Sequence, residues 1–474
     1  MIRQILQIYI SKLHSSQTYI KHQMRKICIS IIIIGVIFTG CSSNIDISDK
    51  SSLVDFVDSL FKTNVDSSYI AGASVIVYRK GQKLLDKSYG YASMELSIPM
   101  PDDASFEIGS VTKQFTAAAI LKLVDDGKLS LDDDFTDYLD FDTKGRIITI
   151  NKLLNHTSGI PSYTEIPEFG DLSIHRYDRD TLVRLVEQHN FLFEPGEALI
   201  YNNSAYFFLG LIIEKISKMS YSEYLSEQFF EPLGMINTYY CSTSEVISNK
   251  VEGYNYSESG LKQKNYIDHT WPYSAGSLCS TAEDLLVWMR ALHEGKIFND
   301  HLYKILTTPG QLNDGTEIRY AKGLVNYMNF GNKQIGHGGG IPGFLSETRY
   351  FPDDDLYIIC LVNTMSPKGA GFFAEELTWK LLDKQEYHPV EIDINLESLS
   401  GKYTGQVRGQ IFSIEITAIS NSIAISVEGQ DNADTLKTYI GQHTWMDGNS
   451  FVVIEDNEYR RDDIYGYFIL KKQE

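Results

Sequence analysis

A serine followed three residues later by a lysine occurs three times in this 474-residue chain: Ser59–Lys62, Ser110–Lys113 and Ser259–Lys262. Such a pair can carry hydrolytic chemistry. A neutral serine hydroxyl is a poor nucleophile and needs a base beside it. A lysine one helical turn further on shares its face and can reach the hydroxyl. Free lysine (pKa ~10.4) and free tyrosine (~10) both keep their protons at neutral pH. Burial and a neighbouring cation favour a neutral amine, and a neighbouring cation favours a phenolate. A lysine and a tyrosine placed together therefore form a coherent pair for moving the serine proton, and the residues leave open how they divide it.

Context separates the three copies. Ser59 and Lys62 lie in ISDKSSLVDFVDSLFKTNV, apolar at 53, 54, 57, 60 and 61, which is the spacing of an ordinary amphipathic helix. Ser259 lies in YNYSESGLKQKN, a polar glycine-containing turn where no helical register fixes its distance to Lys262. Ser110 follows SFEIG and opens a helix whose apolar positions begin at Phe115. A serine there caps the helix through its side-chain oxygen. In the same geometry it is a nucleophile beside backbone N–H donors and the positive end of the helix dipole.

The elements that must position Ser110 follow from periodicity. GASVIVYRKGQKLLDKSYGYAS predicts a hairpin turning at Lys80-Gly81-Gln82. Helical patterns dominate from about 115 to 235, among them FTAAAILKLVDDG, closed by Gly127, and YFFLGLIIEKISKM. AKGLVNYMNFGN, GGIPGFLSETRYFPD and LYIICLVNT read as three successive strands, and GAGFFAEELTWKLLDK as a closing helix. Strands at both ends with helices between imply one antiparallel sheet assembled from both ends and covered by helices, an α+β domain over residues 50–386. Short alternating strands such as FSIEITAIS, SIAISVEG and SFVVIEDN predict a small all-β barrel or sandwich over 390–474. A chain ending near residue 388 is then expected to keep the chemistry.

Two further segments complete a constellation. Tyr201-Asn202-Asn203 precedes a helix in FEPGEALIYNNSAYFFLGLIIEKI, and His337-Gly338-Gly339 stands at the start of a strand pair in IGHGGGIPGFLSETRYFP. The order Ser-x-x-Lys, Tyr-x-Asn, His-x-Gly resembles the serine β-lactamase and penicillin-binding protein superfamily, in its class C β-lactamase-like branch. LLNHTSGIPSY and SAGSLCSTAEDLLVWM share that texture, and the resemblance covers roughly residues 50–385. It implies the β-lactamase/transpeptidase-like fold and an acyl-enzyme on Ser110, with Lys113 and Tyr201 sharing proton transfer. Tyr201 would also protonate the leaving group and activate the deacylating water. Asn203, unless it only caps its helix, would hold Lys113 and a substrate amide. The N–H groups of Ser110 and Gly340 would form the oxyanion hole, with Gly339 in the approaching backbone unless the glycine run is merely a turn. His337 departs from the lysine usual in class C β-lactamases and matches carboxypeptidase, D-aminopeptidase and esterase members. It would donate to a substrate carboxylate or to Tyr201, although histidine is mostly neutral at pH 7. His156, in NHTSG, is expected to brace a turn beside the site.

The substrate class implied is a small amide or ester: a D-amino-acid peptide, including one derived from peptidoglycan, an acyl ester, or a β-lactam. The alternative is a penicillin-binding sensor of the same fold with little turnover. A net charge of −20 without a basic stripe gives no footprint for nucleic acid. No metal-ligand spacing or nucleotide fingerprint is present, and GHGGGIPG lacks the Lys-Ser/Thr of a phosphate loop, so no metal or cofactor is expected. Arg25-Lys26, the apolar run ICISIIIIGVIF and TGCSS read as a signal peptide over residues 1–40, with Met24 the true start. Phe38-Thr39-Gly40-Cys41 resembles a bacterial lipobox with Cys41 lipidated. The expected location is the bacterial cell envelope, lipid-anchored in the outer membrane or periplasm. Cys28 leaves with the signal, and Cys241, Cys279 and Cys360 read as buried small hydrophobes, with a bridge between two of them left open.

Overall fold

The computed structural model describes residues 47–241, 246–384, 388–407, 410–420, 422–428, 433–436, 438–448 and 450–473. The signal peptide, Met24, Cys28 and Cys41 lie outside the described residues. The chain divides into two compact units, Met1–Val54 and Asp55–Glu474.

Helix α1 spans Ile47–Asp66 and contains Ser59. Lys62, the partner of Ser59 in the first Ser-x-x-Lys copy, pairs with Asp58 at the surface (3.0 Å). The predicted hairpin is present as β1 (Gly72–Arg79) and β2 (Gln82–Ser93). Lys80 and Gly81 both have positive φ (48° and 81°), the combination of a two-residue hairpin turn. Helix α2 (Thr112–Asp125) follows, then the short strand β3 (Leu199–Ile200) and helices α3 (Asn203–Ser217) and α4 (Ala282–His293). Where three strands were expected there are four: β4 (Val325–Asn329), β5 (Asn332–Ile341), β6 (Phe344–Phe351) and β7 (Leu356–Val362). Helix α5 (Ala370–Leu381) closes the domain.

The sheet runs β4-β5-β6-β7-β1-β2 with the two-residue strand Ile98–Pro99 at its edge, and every pairing is antiparallel. β1 pairs with β7 in the register Val75↔Cys360 and Ile76↔Ile359, so strands almost 300 residues apart lie side by side. Both are buried along almost their whole length, which is why they read as unbroken apolar runs. Phe61 of α1 stacks on Tyr89 of β2 and Phe373 of α5. Phe115 of α2 stacks on Trp288 of α4 with ring centroids 4.0 Å apart. α2 is the buried axis of the helical region, and Ala117-Ala118-Ala119 keep it thin enough for neighbours to close around it. Its C-terminus is a Schellman motif: Gly127 (φ 66°) donates to the Val124 carbonyl and Lys128 to that of Leu123.

The expected β-rich tail forms a barrel-like sheet. Its strands are β8 (Gly401–Val407), β9 (Gln410–Ile419), β10 (Ser422–Val427), β11 (Ala433–Leu436), β12 (Thr438–Gly441), β13 (Thr444–Asp447), β14 (Ser450–Glu455), β15 (Glu458–Asp463) and β16 (Gly466–Lys472). Tyr403, Ile416, Ile423, Trp445, Ile454 and Leu470 form its interior. The tail packs against the preceding α+β domain. β16 pairs with β3 (Tyr467↔Leu199, Gly466↔Ile200), and Arg319 pairs with Asp462 at 2.8 Å. Leu199, Leu312, Ile318, Tyr320, Val325, Tyr327 and Tyr467 share one apolar cluster. Cys241 and Cys279 form a disulfide, resolving the open question about those two cysteines; Cys360 is free and buried in β7.

The shared cluster reverses the expectation for a chain ending near residue 388. Removing the tail would expose Leu199, Tyr320 and Tyr327 together, an apolar loss of several kcal/mol at ~25 cal/mol per Å². A chain ending at residue 388 is expected to lose its cooperative thermal transition, followed by near-UV circular dichroism. A full transition at the temperature of the intact protein would show that the two parts are independent.

Candidate active site

Ser110 lies in a 3-10 turn, Gly109–Val111, that feeds straight into α2. Val111 occupies the N-cap position in helical conformation, with no side-chain cap. The serine hydroxyl is therefore not engaged in capping the helix. Gly109 (φ 50°) turns the chain from the short strand Phe106–Glu107; a Cβ there would sit 2.8 Å from the Gly340 nitrogen. A Cβ on Gly339 would sit 2.1 Å from the Ile108 carbonyl and 3.1 Å from the Ser110 nitrogen. The glycine run lies inside β5 rather than in a turn, and the hairpin reverses at Pro342–Gly343. Glycine is required because the Ser110 turn presses directly onto the strand. The two backbones bring the Ser110 and Gly340 nitrogens to neighbouring positions, with Gly340 exposed and Ser110 half-buried.

Lys113 is fully buried, and its Nζ meets three oxygens: Ser110 Oγ at 3.0 Å, Asn203 Oδ1 at 2.8 Å and the Ala275 carbonyl at 2.8 Å. Burial holds its pKa well below the ordinary lysine value. Asn203 Oδ1 and the Ala275 carbonyl can only accept, so they take two N–H bonds. A neutral amine then has its lone pair for the third direction, where the Ser110 hydroxyl can donate. The amine also lies over the rings of Tyr201 (4.8 Å) and Tyr206 (5.4 Å).

The Tyr-x-Asn segment is built by a cap one residue earlier than an Asn203 cap would require. Asn202 is the N-cap of α3, its Oδ1 accepting from the Ala205 N–H at 2.8 Å. Asn203 is left free to face Lys113, and its Nδ2 donates to Thr164. His156 has φ 62° and accepts the Asn202 N–H on Nδ1 at 3.1 Å, which is the bracing role expected of it. Tyr201 keeps some exposure, but its hydroxyl oxygen is buried and short of a hydrogen bond. Burial raises its pKa well above the ordinary tyrosine value, and only Ser110 pulls the other way. Lysine neutral and tyrosine protonated is thus the favoured resting division of protons.

His337 differs from its expected role. Its Nδ1 faces the Gly338 carbonyl, which can only accept, so Nδ1 carries the proton. Nε2 then accepts from the Tyr320 hydroxyl at 2.9 Å. Both nitrogens are engaged within the protein, so neither is presented to a substrate carboxylate or to Tyr201. Burial lowers its pKa to about 3, so it is neutral across the physiological range.

Tyr465, between β15 and β16, is a site residue that motif reasoning missed. The Gly338 N–H donates to its hydroxyl at 3.2 Å, and its ring packs against Tyr201 (5.3 Å) and His337 (5.5 Å). No signal in the sequence marked it, because it lies more than 100 residues beyond the last motif. Two cavities open on Ser110. One, of about 550 Å³, is lined by Tyr163, Phe169, Asn203, Tyr266 and Ile341 among others. The second, of about 420 Å³, is bounded by Tyr201, His337, Gly338, Glu347 and Tyr465. A further cavity beside the Cys241 half of the disulfide, lined by Arg176 and Arg179, shares no residue with the Ser110 cluster.

A family model described as Beta-lactamase matches residues 57–383. Protein flp of Staphylococcus aureus (strain N315) is 26% identical over 350 residues, covering 72% of this chain and 68% of that one. D-aminopeptidase of Gluconobacter oxydans (strain 621H) is 28% identical over 305 residues, covering 62% of this chain and 56% of the relative. Among solved structures, the octameric penicillin-binding protein homologue from Pyrococcus abyssi superposes with a TM-score of 0.62 at 26% identity, covering 88% of this chain and 100% of that chain.

With Lys113 as the base, the rate of Ser110 labelling by a fluorophosphonate is expected to fall as pH drops through the depressed lysine pKa. The amine must be neutral to act, so activity is present above that pKa and lost below it. His337 is already neutral and cannot supply this limb. Lys113→Ala is expected to slow labelling by ~100-fold or more, the usual size of general-base assistance. A labelling rate in Lys113→Ala equal to that of the intact protein would count against the assignment.

Proposed function

The chain belongs to the beta-lactamase/transpeptidase-like serine hydrolase superfamily, and we propose that it hydrolyses a small amide or ester of the D-amino-acid type through an acyl-enzyme on Ser110. The observation that carries this reading is the buried Lys113 amine, 3.0 Å from Ser110 Oγ and held by two oxygens that can only accept. In this reading the neutral amine takes the serine proton as Oγ adds to the substrate carbonyl. The oxyanion is held by the N–H groups of Ser110 and Gly340; loss of one such donor typically costs ~2.7–4 kcal/mol in the barrier. Collapse expels the leaving group, which receives a proton from Tyr201. Water then adds to the acyl-enzyme as the proton path runs in reverse. Asn203 fixes Lys113 and offers its amide to the substrate, and Gly339 keeps the strand against the Ser110 turn.

The amide reading draws on the D-aminopeptidase relative, and the absence of a cation in the place of His337 weighs against a dedicated β-lactamase. We also propose a lipid anchor on Cys41 that holds the enzyme at the cell envelope, supported by the basic, apolar and lipobox segments before it.

Two measurements test these readings. D-phenylalaninamide, p-nitrophenyl acetate and a fluorescent penicillin are each incubated with the protein and with Ser110→Ala, with intact mass and product release followed together. Turnover that disappears in Ser110→Ala is expected. A stable Ser110 adduct without release would instead describe a penicillin-binding sensor. For the anchor, labelled palmitate is expected in the wild-type protein expressed in a bacterial host and not in Cys41→Ala; equal labelling would refute it.

A further inference from the structure

The cavities around Ser110 have an unusual charge inventory. Among the described residues lining the two of them, Glu347 is the one with a formally charged side chain. The larger cavity is aromatic, apolar and neutral-polar. On the other side His337 is neutral and turned inward, so among the described lining residues no cation is placed to receive a substrate carboxylate.

Glu347 lies on β6, paired across from Gly338. Its Oε1 accepts from Arg349 Nε at 3.0 Å, and Arg349 also pairs with Glu375. One guanidinium between two carboxylates leaves the group a net charge of −1. The second oxygen, Oε2, makes no hydrogen bond among the described residues. It leans over Gly338: a Cβ at that position would lie 2.8 Å from Oε2 and 3.4 Å from the Tyr465 hydroxyl. Gly338 thus leaves open a small cradle walled by a carboxylate oxygen and a phenol oxygen. This is a setting for an ammonium group, which can donate to both oxygens and gains most from the charged one.

We infer that Glu347, with Tyr465 completing the wall, selects substrates carrying a free ammonium group close to the scissile carbonyl. The apolar remainder would occupy the aromatic cavity. Glu347 is a specificity-determining residue here, and its partnership with Arg349 keeps its carboxylate aimed at the cradle. The inference deepens the hydrolase reading and rests on it for the identity of the reacting carbonyl.

The test separates the two. Binding of D-phenylalaninamide and N-acetyl-D-phenylalaninamide to the Ser110→Ala protein is measured by calorimetry, which needs no turnover. The free amine is expected to bind about tenfold tighter, the size of one hydrogen bond to a charged group. In Ser110→Ala/Glu347→Gln the ratio is expected to fall to within about twofold. In Ser110→Ala/Gly338→Ala, which fills the cradle without removing the charge, it is also expected to fall. Arg349 retains Glu375 in the Glu347→Gln protein, and far-UV circular dichroism checks its fold. Equal affinities, no measurable binding of either amide, or a preference that survives Glu347→Gln would each overturn the inference. Failure of the hydrolase reading looks different: no Ser110-dependent release of p-nitrophenol from p-nitrophenyl acetate, whatever the binding ratio.

Discussion

The site depends on keeping one amine, that of Lys113, uncharged and satisfied inside the protein. Burying a lone ammonium is expensive, and among the described residues no carboxylate accompanies this one as an ion-pair partner. The neutral form avoids that cost only if its two N–H groups and its lone pair all find partners. The Ala275 carbonyl and Asn203 Oδ1 provide the first two, and Ser110 the third. Three separated pieces of chain must therefore converge: the start of α2, the start of α3 and the turn of helix at Tyr273–Gly276. The packing of the helical region follows from this, with α2 buried around nearly its whole circumference.

Close backbone approach is the second constraint. β5 lies so near the Ser110 turn that side chains at 109 and 339 have no room. That contact brings the Gly340 nitrogen beside Ser110, and it relies on a sheet whose middle strands come from opposite ends of the domain. The pairing of β1 with β7 fixes where β5 and β6 can lie. The C-terminal strands then seal the opposite side of the site, because β16 continues from β3, the strand that leads into Tyr201. Tyr465 therefore reaches the site as a consequence of strand pairing and not of a motif.

The electrostatics follow from burial more than from composition. The chain is acidic overall, yet the site interior is close to neutral: Lys113 is depressed, Tyr201 keeps its proton, and His337 is locked between Tyr320 and the Gly338 carbonyl. A neutral interior leaves Glu347, the one carboxylate among the described lining residues, with disproportionate influence on what binds. Its strength comes from Arg349 being shared with Glu375, so that neither acid is fully neutralised.

Much of this was legible in the residues. The α+β layout, the hairpin at Lys80-Gly81 and the Gly127 helix stop followed from periodicity and turn chemistry, which are local properties, whereas the grouping of Ser110, Lys113, Tyr201 and Asn203 came from the resemblance of the three motifs to a known family. The cap at Asn202 rather than Asn203 escaped notice because two adjacent asparagines offer the same chemistry and only the helix register chooses between them. The glycine run reads as backbone free for close approach, with a plain turn as the alternative; what the residues could not give is that the approach is to a segment more than 200 residues earlier. His337 looked available to a substrate because its partners, Tyr320 and the folded Gly338 carbonyl, carry no motif. The sequence by itself determined which side chains could do the chemistry. Tertiary structure alone decided their protonation, the closure of the site by Tyr465 and the placement of Glu347 Oε2 over Gly338, because desolvation and long-range strand pairing depend on what surrounds a residue and not on what precedes it.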